Sequence, residues 1–333
     1  MKAYIIQKYN KNKDLMSAEM PEPSMKENEV LVQVHAAGVN LLDSKIKSGE
    51  FKLILPYKFP FILGHDVAGL VVKVGAEVKK FKVGDEVYAR PADFRIGTFA
   101  ELIAINENDV AIKPTGLTME EAASIPLVGL TAYQALIEKG NLKKGQKVFI
   151  QAGSGGVGTF AIQLAKHLGA TVATTTSTSN FQLVKSLGAD FLIDYKNEDF
   201  ETILKDYDLV LHSQDAKTLE KSLRILKPGG KLISISGPPD PDFAAEITSS
   251  WFLKTILMLI SFGVRKKAKQ LKVNFVFLFM KAQGNQLNEI TNLINSGVIR
   301  PVVDKVFPFE KVNDAMAYVE SGRAKGKVVV KVQ

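Results

Sequence analysis

The residues with the clearest chemical meaning form a glycine-rich turn, Gly153-Ser154-Gly155-Gly156-Val157-Gly158. Glycines 153, 155 and 158 fit the spacing G-x-G-x-x-G, with a strand-like run (Lys147–Gln151) before them and a helical run (Gly158–Leu168) after them. The first glycine permits a tight turn, the second lets a phosphate reach the backbone, and the third allows helix and strand to pack closely. Backbone N–H groups and the helix dipole stabilise phosphate charge there. The motif predicts a dinucleotide site, and a purely structural turn is the alternative.

The segment after the next predicted strand indicates which dinucleotide binds. Residues 174–180 read Thr-Thr-Thr-Ser-Thr-Ser-Asn, without the acidic residue that NAD sites place about 20 positions after the motif. Hydroxyls and an amide can donate hydrogen bonds to a 2′-phosphate, so we predict NADP(H) as the cofactor, held by Thr176, Ser177 and Asn180. Because this loop has no arginine, Lys327 and Lys185 are candidates for the missing positive charge.

Composition excludes several kinds of site. The 333 residues contain no cysteine, which rules out disulfides, cysteine nucleophiles and cysteine-ligated zinc. The formal net charge is +8, but the lysines are scattered rather than gathered with aromatic residues, so nucleic-acid binding is not predicted. We interpret the positive charge as a solvated surface that also attracts a polyanionic cofactor.

Two features bear on localisation. The N-terminal apolar run is too short for a signal peptide, so a cytoplasmic protein is predicted. The longest apolar stretch, Trp251–Gly263, is too short to span a bilayer, so no integral membrane association is expected. We interpret it as a buried helix or pocket wall; peripheral membrane attachment is the alternative, because the basic run Arg265–Lys269 follows.

The rest of the chain shows two different patterns of predicted secondary structure. Up to about residue 120 it reads as short strands joined by turns, including Val30–Ala36 and Val67–Val74. From there strands and helices alternate, which predicts right-handed crossovers and a doubly wound parallel sheet. The fold class is therefore α/β, a Rossmann sheet combined with a mostly β domain. The tail after Gly297 is expected to return to the β domain.

With these motifs, the chain resembles the zinc-free quinone oxidoreductase and enone (alkenal) reductase branch of the medium-chain dehydrogenase/reductase superfamily. The motifs that carry the resemblance occur in order along the chain: Gly38–Gly49, Gly64–Gly75, Phe81–Ala89, Ala122–Leu136, Ala152–Gly158, Leu226–Gly237 and Gly322–Val330. The resemblance implies a GroES-like catalytic domain at residues 1–121, a Rossmann NADP-binding domain at 122–298 and a C-terminal return at 299–333. It also implies a homodimer.

The resemblance also shows what has changed at the metal site. The family's alcohol dehydrogenases hold catalytic zinc with Cys, His and Cys; here those positions are Asn40, His65 and a residue near Leu127, and the structural zinc lobe is missing. One imidazole without thiolates does not make a zinc site, so no metal is predicted. For His65, a structural histidine and a pocket-lining residue both remain open.

Without zinc, the plausible chemistry is hydride addition to a substrate that is already an electrophile, such as a quinone or an α,β-unsaturated carbonyl. The protein then needs only a hydrogen-bond donor for the developing enolate. The resemblance makes Asn40 and Lys45 candidate catalytic residues. A turn-forming Asn40 and a solvated Lys45 are the alternatives.

The same resemblance assigns further residues to the cofactor. Thr131 matches the threonine beside the nicotinamide, Tyr195 lies near the adenosine phosphate, and His212 and Gly237 belong to loops over the cofactor. Phe279, within Phe275–Met280, brings its backbone to the carboxamide and aromatic walls to an apolar or aromatic substrate. Core packing would explain the same phenylalanines, and a structural role for His212 stays open.

Three functions compete. An NADPH-dependent quinone or enone reductase leads. A carbonyl reductase or alcohol dehydrogenase is the second, disfavoured by the missing ligands. The third is an NADPH-binding structural or regulatory protein with little turnover, which an intact phosphate turn also fits.

Overall fold

The computed structural model describes residues 1–247 and 250–333, with no account of the side chain at 253. Within this part the chain divides into two compact units. The first consists of Met1–Leu130 with Lys281–Gln333, and the second of Thr131–Met280.

The N-terminal part of the first unit is built from short strands and two helices: β1 (Lys2–Ile6), β2 (Met16–Glu19), β3 (Glu29–Val39), α1 (Leu41–Ser48), β4 (Phe61–Ile62), β5 (Asp66–Val74), β6 (Glu86–Ala89), β7 (Leu102–Asn106), β8 (Val110–Ile112) and α2 (Met119–Ala123). Strand β3 shows why these residues form a half-buried sheet. Its alternate residues Val30, Val32 and Val34 are fully buried, as the period of two requires.

In the second unit strands and helices alternate as predicted: α3 (Pro126–Tyr133, which begins before the unit boundary and continues as a π-helical stretch, Gln134–Lys139), β9 (Lys147–Ile150), α4 (Gly156–His167), β10 (Thr171–Thr176), α5 (Phe181–Ser186), β11 (Phe191–Asp194), α6 (Phe200–Ile203), β12 (Tyr207–His212), α7 (Ala216–Arg224), β13 (Leu226–Ser234), α8 (Pro241–Ile247), α9 (Trp251–Ile260), α10 (Phe262–Gln270) and β14 (Asn274–Phe277).

The strands of the second unit form a parallel sheet in the order β11-β10-β9-β12-β13-β14. Numbered within the unit this is 3-2-1-4-5-6, the doubly wound order of dinucleotide-binding domains, so the predicted fold class is confirmed. The order reverses between β9 and β12. Ligands of such sheets bind beyond the carboxyl ends of the strands at this reversal, which here means the loops after Ile150, Thr176 and His212.

The C-terminal elements complete the first unit: α11 (Gly284–Asn295), β15 (Val303–Pro308), α12 (Val312–Glu320) and β16 (Lys327–Lys331). Its large sheet has the order β15-β16-β3-β5-β6-β8, with β7 also paired to β3, and a second sheet has the order β2-β1-β4. Helix α11 packs within this unit, where its Leu287 carbonyl accepts a hydrogen bond from the Tyr88 hydroxyl of β6 at 2.8 Å. The proposed domain division had placed this helix in the Rossmann domain.

Helix α1 was not anticipated from the sequence. It is short, and its limits are set by local hydrogen bonds rather than by a long apolar period. The Asp43 carboxylate accepts from the Asn40 backbone N–H at 2.8 Å, which fixes the start of the helix. Gly49 ends it with φ of 85°, in the left-handed region that favours glycine.

The interpretation of Trp251–Gly263 as a buried helix is wrong. The segment forms α9 and the start of α10, and Trp251, Phe252 and Leu259 are 77, 61 and 68% exposed. Among the side chains of this segment that the structure describes, the buried ones are Leu257 and Ser261. Among the described residues, no helix combines the length and the apolar character needed to cross a membrane.

Candidate functional site

The glycine-rich turn joins the end of β9 to the start of α4, and two of its glycines are required by packing. A Cβ on Gly153 would lie 2.1 Å from the Thr174 Oγ1, and one on Gly158 would lie 2.3 Å from the Ala152 carbonyl oxygen. The left-handed conformation of the turn is carried by Ala152, with φ of 52°, and not by a glycine. Gly153 is thus needed for the close approach of Thr174, while the positive φ of the turn lies at its neighbour.

Gly155 differs from these two glycines. A Cβ there would meet only the Ala152 oxygen, at 3.3 Å, so the protein leaves the space beside Gly155 open. Gly155 is the N-cap of the twelve-residue helix α4, whose first N–H groups have no acceptor within the helix. Open space, free donors and the positive end of a helix dipole together suit a pyrophosphate.

The residues predicted to select NADP(H) lie together at the end of β10. Ser154 Oγ accepts from Thr176 Oγ1 at 2.9 Å and from Asn180 Nδ2 at 3.2 Å. Asn180 Nδ2 also donates to Ser177 Oγ at 3.1 Å. The Asn180 Oδ1 is buried without a hydrogen-bond partner, so it is an acceptor to which a ribose hydroxyl could donate.

A carboxylate that the sequence analysis overlooked ends the neighbouring strand β11. Asp194 accepts from Thr178 Oγ1, from Asn197 Nδ2 at 2.8 Å and from the Lys196 backbone N–H at 3.1 Å. The hydrogen bond from Thr178 lowers the pKa of Asp194, so the group stays ionised at neutral pH. Its lone pairs are engaged by its own loop and by Thr178 of the loop after β10.

Two exposed side chains follow this carboxylate. Tyr195, predicted near the adenosine phosphate, has its backbone N–H 3.4 Å from the Thr176 carbonyl, which places it at the end of β10. Lys196 comes next and is exposed. It is a candidate cation for the 2′-phosphate, and the sequence analysis missed it. The sequence could have indicated it, because Lys196 directly follows Tyr195, which was predicted to lie near the adenosine phosphate. Lys185 is an exposed residue of α5.

His212 ends β12 and is fully buried. Its Nε2 lies 3.1 Å from the Asp215 carbonyl oxygen, which can only accept, so Nε2 carries the hydrogen. Nδ1 then accepts from the Ser234 hydroxyl at 3.0 Å, and Ser234 Oγ also accepts from the Gly237 backbone N–H at 2.8 Å. These bonds tie the ends of β12 and β13 together and position the predicted cofactor loop at Gly237.

Burial lowers the pKa of His212 to about 4, below its ordinary value of 6.5. The unfolded chain therefore binds more protons between these values, so the stabilisation from neutral His212 is complete above about pH 6.5 and decreases as the pH falls towards 4. We expect His212→Gln to flatten the pH dependence of the unfolding free energy in this range, where wild type loses roughly 2–3 kcal/mol from this group. Urea unfolding at several pH values measures it.

The control for this experiment is His167→Gln, at the exposed end of α4. It should keep the wild-type pH profile. Equal slopes in wild type and His212→Gln would contradict the assignment of the acid sensitivity to His212.

Phe279 and Thr131 are the other residues of the second unit that were predicted to contact the cofactor. The Phe279 ring packs 5.3 Å from that of Phe243, and Phe277 contacts the same ring at 5.0 Å. These contacts account for the phenylalanine-rich segment by packing, while the role of Phe279 in binding the carboxamide stays a prediction. Thr131 is buried in α3.

The candidate residues of the first unit lie in a buried polar network. Lys327 on β16 donates to Asn40 Oδ1 at 2.6 Å, to Asp66 Oδ2 at 3.1 Å and to the Val39 carbonyl at 3.1 Å. A lysine ammonium has three hydrogens, and these acceptors use all of them. The geometry thus supports a structural role for Lys327 rather than a contact to a phosphate. The Asn40 amide is also held, since its Nδ2 donates to Asp66 and Gly38.

Next to this network lies a histidine–carboxylate pair that sequence reasoning did not assemble. The Nδ1 of His65 is 2.6 Å from Asp43 Oδ1, and both side chains are fully buried. The Nε2 of His65 has no hydrogen-bond partner. A buried ring nitrogen without a partner of this kind is normally satisfied by a bound group or a water molecule. The signal in the sequence was the capping pair Asn40 and Asp43 at the start of α1, which was not recognised.

An aromatic cluster lies in the same unit. The Tyr57 ring stacks on Phe61 at 4.5 Å and contacts Phe94 at 5.4 Å. Phe94 has φ of 65°, a strained conformation for a residue with a side chain, and its ring is half exposed. Burial raises the pKa of Tyr57, so its phenol stays protonated at neutral pH. Lys45 lies half-buried on α1.

Metal ligands are not assembled in the part of the chain that the structure describes: no three His, Asp or Glu side chains are grouped to hold an ion.

Comparisons with known proteins identify both units. Residues 26–115 match the model of the alcohol dehydrogenase GroES-like domain, and residues 187–330 match the zinc-binding dehydrogenase model. The chain is 37% identical to the zebrafish (Danio rerio) mitochondrial NAD(P)H oxidoreductase RTN4IP1, over 100% of this chain and 91% of that protein. It is 36% identical to the chloroplastic NADPH-dependent alkenal/one oxidoreductase of Arabidopsis thaliana, over 99% of this chain and 79% of that protein.

A solved structure agrees with these matches. The quinone oxidoreductase from Coxiella burnetii superposes with a TM-score of 0.87 at 30% identity, covering 100% of this chain and 99% of that one.

Proposed function

Since the chain belongs to the medium-chain dehydrogenase/reductase superfamily and is an oxidoreductase, we propose that it uses NADPH to reduce quinones or the activated C=C bond of α,β-unsaturated carbonyls. The proposal includes direct hydride transfer without zinc. A homodimer and a cytoplasmic location remain predictions. The names of two similar proteins place those proteins in mitochondria and chloroplasts.

The observation that carries the choice of NADPH is the cluster formed by Ser154, Thr176, Ser177 and Asn180 beside the open space at Gly155. A carboxylate in this loop would repel a 2′-phosphate, whereas hydroxyls and an amide donate to it. Asp194, the nearby carboxylate, is turned to Thr178 and Asn197. Lys196 would add positive charge at the edge of this cluster.

The choice of substrate rests on the side chains available for chemistry. Alcohol oxidation needs a group that lowers the hydroxyl pKa, and the chain has no cysteine to complete the family's zinc site. When bound, the reduced nicotinamide supplies a hydride. In that reaction the first unit provides a hydrogen-bond donor for the substrate oxygen. We propose Lys45 and Asn40 as its candidates; the Asn40 amide would exchange its 3.3 Å bond to the Gly38 carbonyl for the substrate. The rings of Tyr57 and Phe94 suit an apolar electrophile.

The test is NADPH oxidation, followed by the absorbance of the reduced nicotinamide, against simple quinones, enones, alkenals and saturated aldehydes. We expect turnover of quinones or conjugated carbonyls, a preference for NADPH over NADH, and no effect of a chelator. Turnover confined to alcohols or saturated aldehydes, or lost with chelator, would contradict the zinc-free chemistry. Tight NADPH binding without any turnover would assign the protein a binding role instead.

A further inference from the structure

The exposed side chains of α9 and the start of α10 form an unusual surface. Six large apolar residues within twelve positions are more than 40% exposed: Trp251, Phe252, Met258, Leu259, Ile260 and Phe262. Single exposed apolar residues are common on proteins, but a contiguous patch of this kind marks an interaction surface. None of these residues belongs to the proposed cofactor or substrate site.

Helix geometry places most of this patch on one face. Trp251, Met258 and Phe262 are separated by seven and four positions, which brings them to the same side at 3.6 residues per turn. Leu257 and Ser261, one position before Met258 and Phe262, lie about 100° further around and are buried. The segment thus carries large apolar side chains on its exposed face as well as at the buried Leu257. Such a helix is expected only when something apolar also covers the outer face.

The charge next to this patch has one sign. Between residues 247 and 280 the sequence carries Lys254, Lys272 and the cluster of α10, and it contains no Asp or Glu. The cluster consists of Arg265, Lys266, Lys267 and Lys269. Arg265 also donates to the Met258 carbonyl at 3.0 Å, which holds the basic cluster beside the apolar face.

From this arrangement we propose that the apolar–basic surface, consisting of the six exposed apolar residues and the basic cluster of α10, docks on an anionic lipid membrane. Aromatic and aliphatic side chains enter the interface between headgroups and acyl chains, and the lysines contact the headgroups. Helix α9 has ten residues and is about 15 Å long, so it lies in the interface and does not cross the bilayer. A second copy of the chain is the weaker candidate, because two such surfaces would bring like charges together.

The protein contains its own reporter for this proposal. Trp251 is the only tryptophan of the chain, so intrinsic fluorescence reports directly on the surface. Mixing the full-length protein with vesicles of equal parts phosphatidylcholine and phosphatidylglycerol should shift the Trp251 emission to shorter wavelength. It should also protect the indole from a water-soluble quencher and make the protein sediment with the vesicles. Pure phosphatidylcholine vesicles, or high salt, should largely remove these effects.

Paired variants separate the apolar from the basic contribution and keep Trp251 in place. We expect Leu259→Ser/Phe262→Ser and Lys266→Glu/Lys267→Glu each to weaken vesicle binding by roughly 20-fold or more, with unchanged unfolding temperature. The matched controls are Leu53→Ser, an exposed leucine of the first unit, and Lys11→Glu/Lys13→Glu, in an exposed N-terminal turn. Both controls should bind vesicles like wild type.

Three results would overturn the proposal. The first is absence of any emission shift or sedimentation with the anionic vesicles, and the second is binding that Lys266→Glu/Lys267→Glu leaves unchanged. The third is an emission shift that needs no vesicles, rises with protein concentration and accompanies a doubled molar mass, which would assign the surface to a second copy of the chain. NADPH turnover plays no part in either readout, so the membrane proposal and the proposed reaction can fail separately.

Discussion

Gly155→Val is expected to weaken NADPH binding strongly while leaving the protein folded. Gly155 has φ of −81° and ψ of 173°, an extended conformation that valine adopts readily. An added Cβ would meet only the Ala152 oxygen, at 3.3 Å, a tight contact that a shift of a few tenths of an ångström relieves. The open space beside Gly155 is the space proposed for the pyrophosphate, and two methyl groups would fill it. We expect the affinity for NADPH to fall about 100-fold, or roughly 2.7 kcal/mol, in a fluorescence or calorimetric titration.

Two further glycine variants show whether this effect comes from the cofactor space or from the fold. Gly263→Ala, in a helix with no atom near the added Cβ, should bind NADPH like wild type. Gly158→Val should destabilise the second unit itself, since its Cβ would lie 2.3 Å from the Ala152 oxygen. Wild-type affinity in Gly155→Val would place the dinucleotide elsewhere. A large loss of unfolding temperature in that variant would show that Gly155 is needed for packing.

The part of the second unit from β9 to β13 could largely be predicted from the sequence because its signals are local. The glycine turn, the runs of alternating strand and helix, and the hydroxyl-rich end of β10 each lie within a few neighbouring residues. Even so, the hydrogen bonds that join Ser154 to Thr176 and Asn180 span 22 and 26 positions. The sequence indicated which groups matter, and the sheet order β10-β9-β12 is what brings them together.

The first unit was less predictable because its polar network is made of residues far apart in the chain. Lys327 and Asn40 are 287 positions apart, and no local pattern relates them. A lysine in a strand of valines was taken as a free cation, although burial of a lysine ammonium requires partners of this kind. His65 could be matched to a family position, but its pairing with Asp43 depends on helix α1, which the apolar pattern did not reveal.

The exposed face of α9 was misjudged for a related reason. An apolar run of this length is compatible with a buried helix, and periodicity alone does not distinguish one apolar face from two. Only the accessible surface of Trp251 and its neighbours separates these cases. The basic run after it is the sequence feature that favours the alternative interpretation, peripheral membrane attachment.

Lys327→Met is expected to be the most destabilising single substitution of those considered. Asp66 is fully buried, and its oxygens accept from Lys327, from Asn40 Nδ2 at 3.0 Å and from the Leu127 backbone N–H at 2.7 Å. Removing the ammonium leaves a buried carboxylate without its counter-charge, which costs about 3–5 kcal/mol. In thermal unfolding this corresponds to a loss of roughly 10 °C for a chain of this size.

The matched control lies four residues away on the same strand. Lys331 is exposed and pairs with Glu120 at 3.4 Å, so Lys331→Met should change the unfolding free energy by about 1 kcal/mol or less. Equal effects of the two substitutions would contradict the special role of the buried pair.

A double variant then distinguishes charge pairing from simple loss of packing. In Asp66→Asn/Lys327→Met no buried charge is left unpaired, so we expect it to be more stable than Lys327→Met alone, with a coupling energy of roughly 1–3 kcal/mol. Asn40 would still lose the donor that holds its Oδ1, because that bond comes from the lysine. If Asn40 binds the substrate or the cofactor, the double variant should regain stability without regaining turnover. Recovery of both would show that the network serves the fold alone.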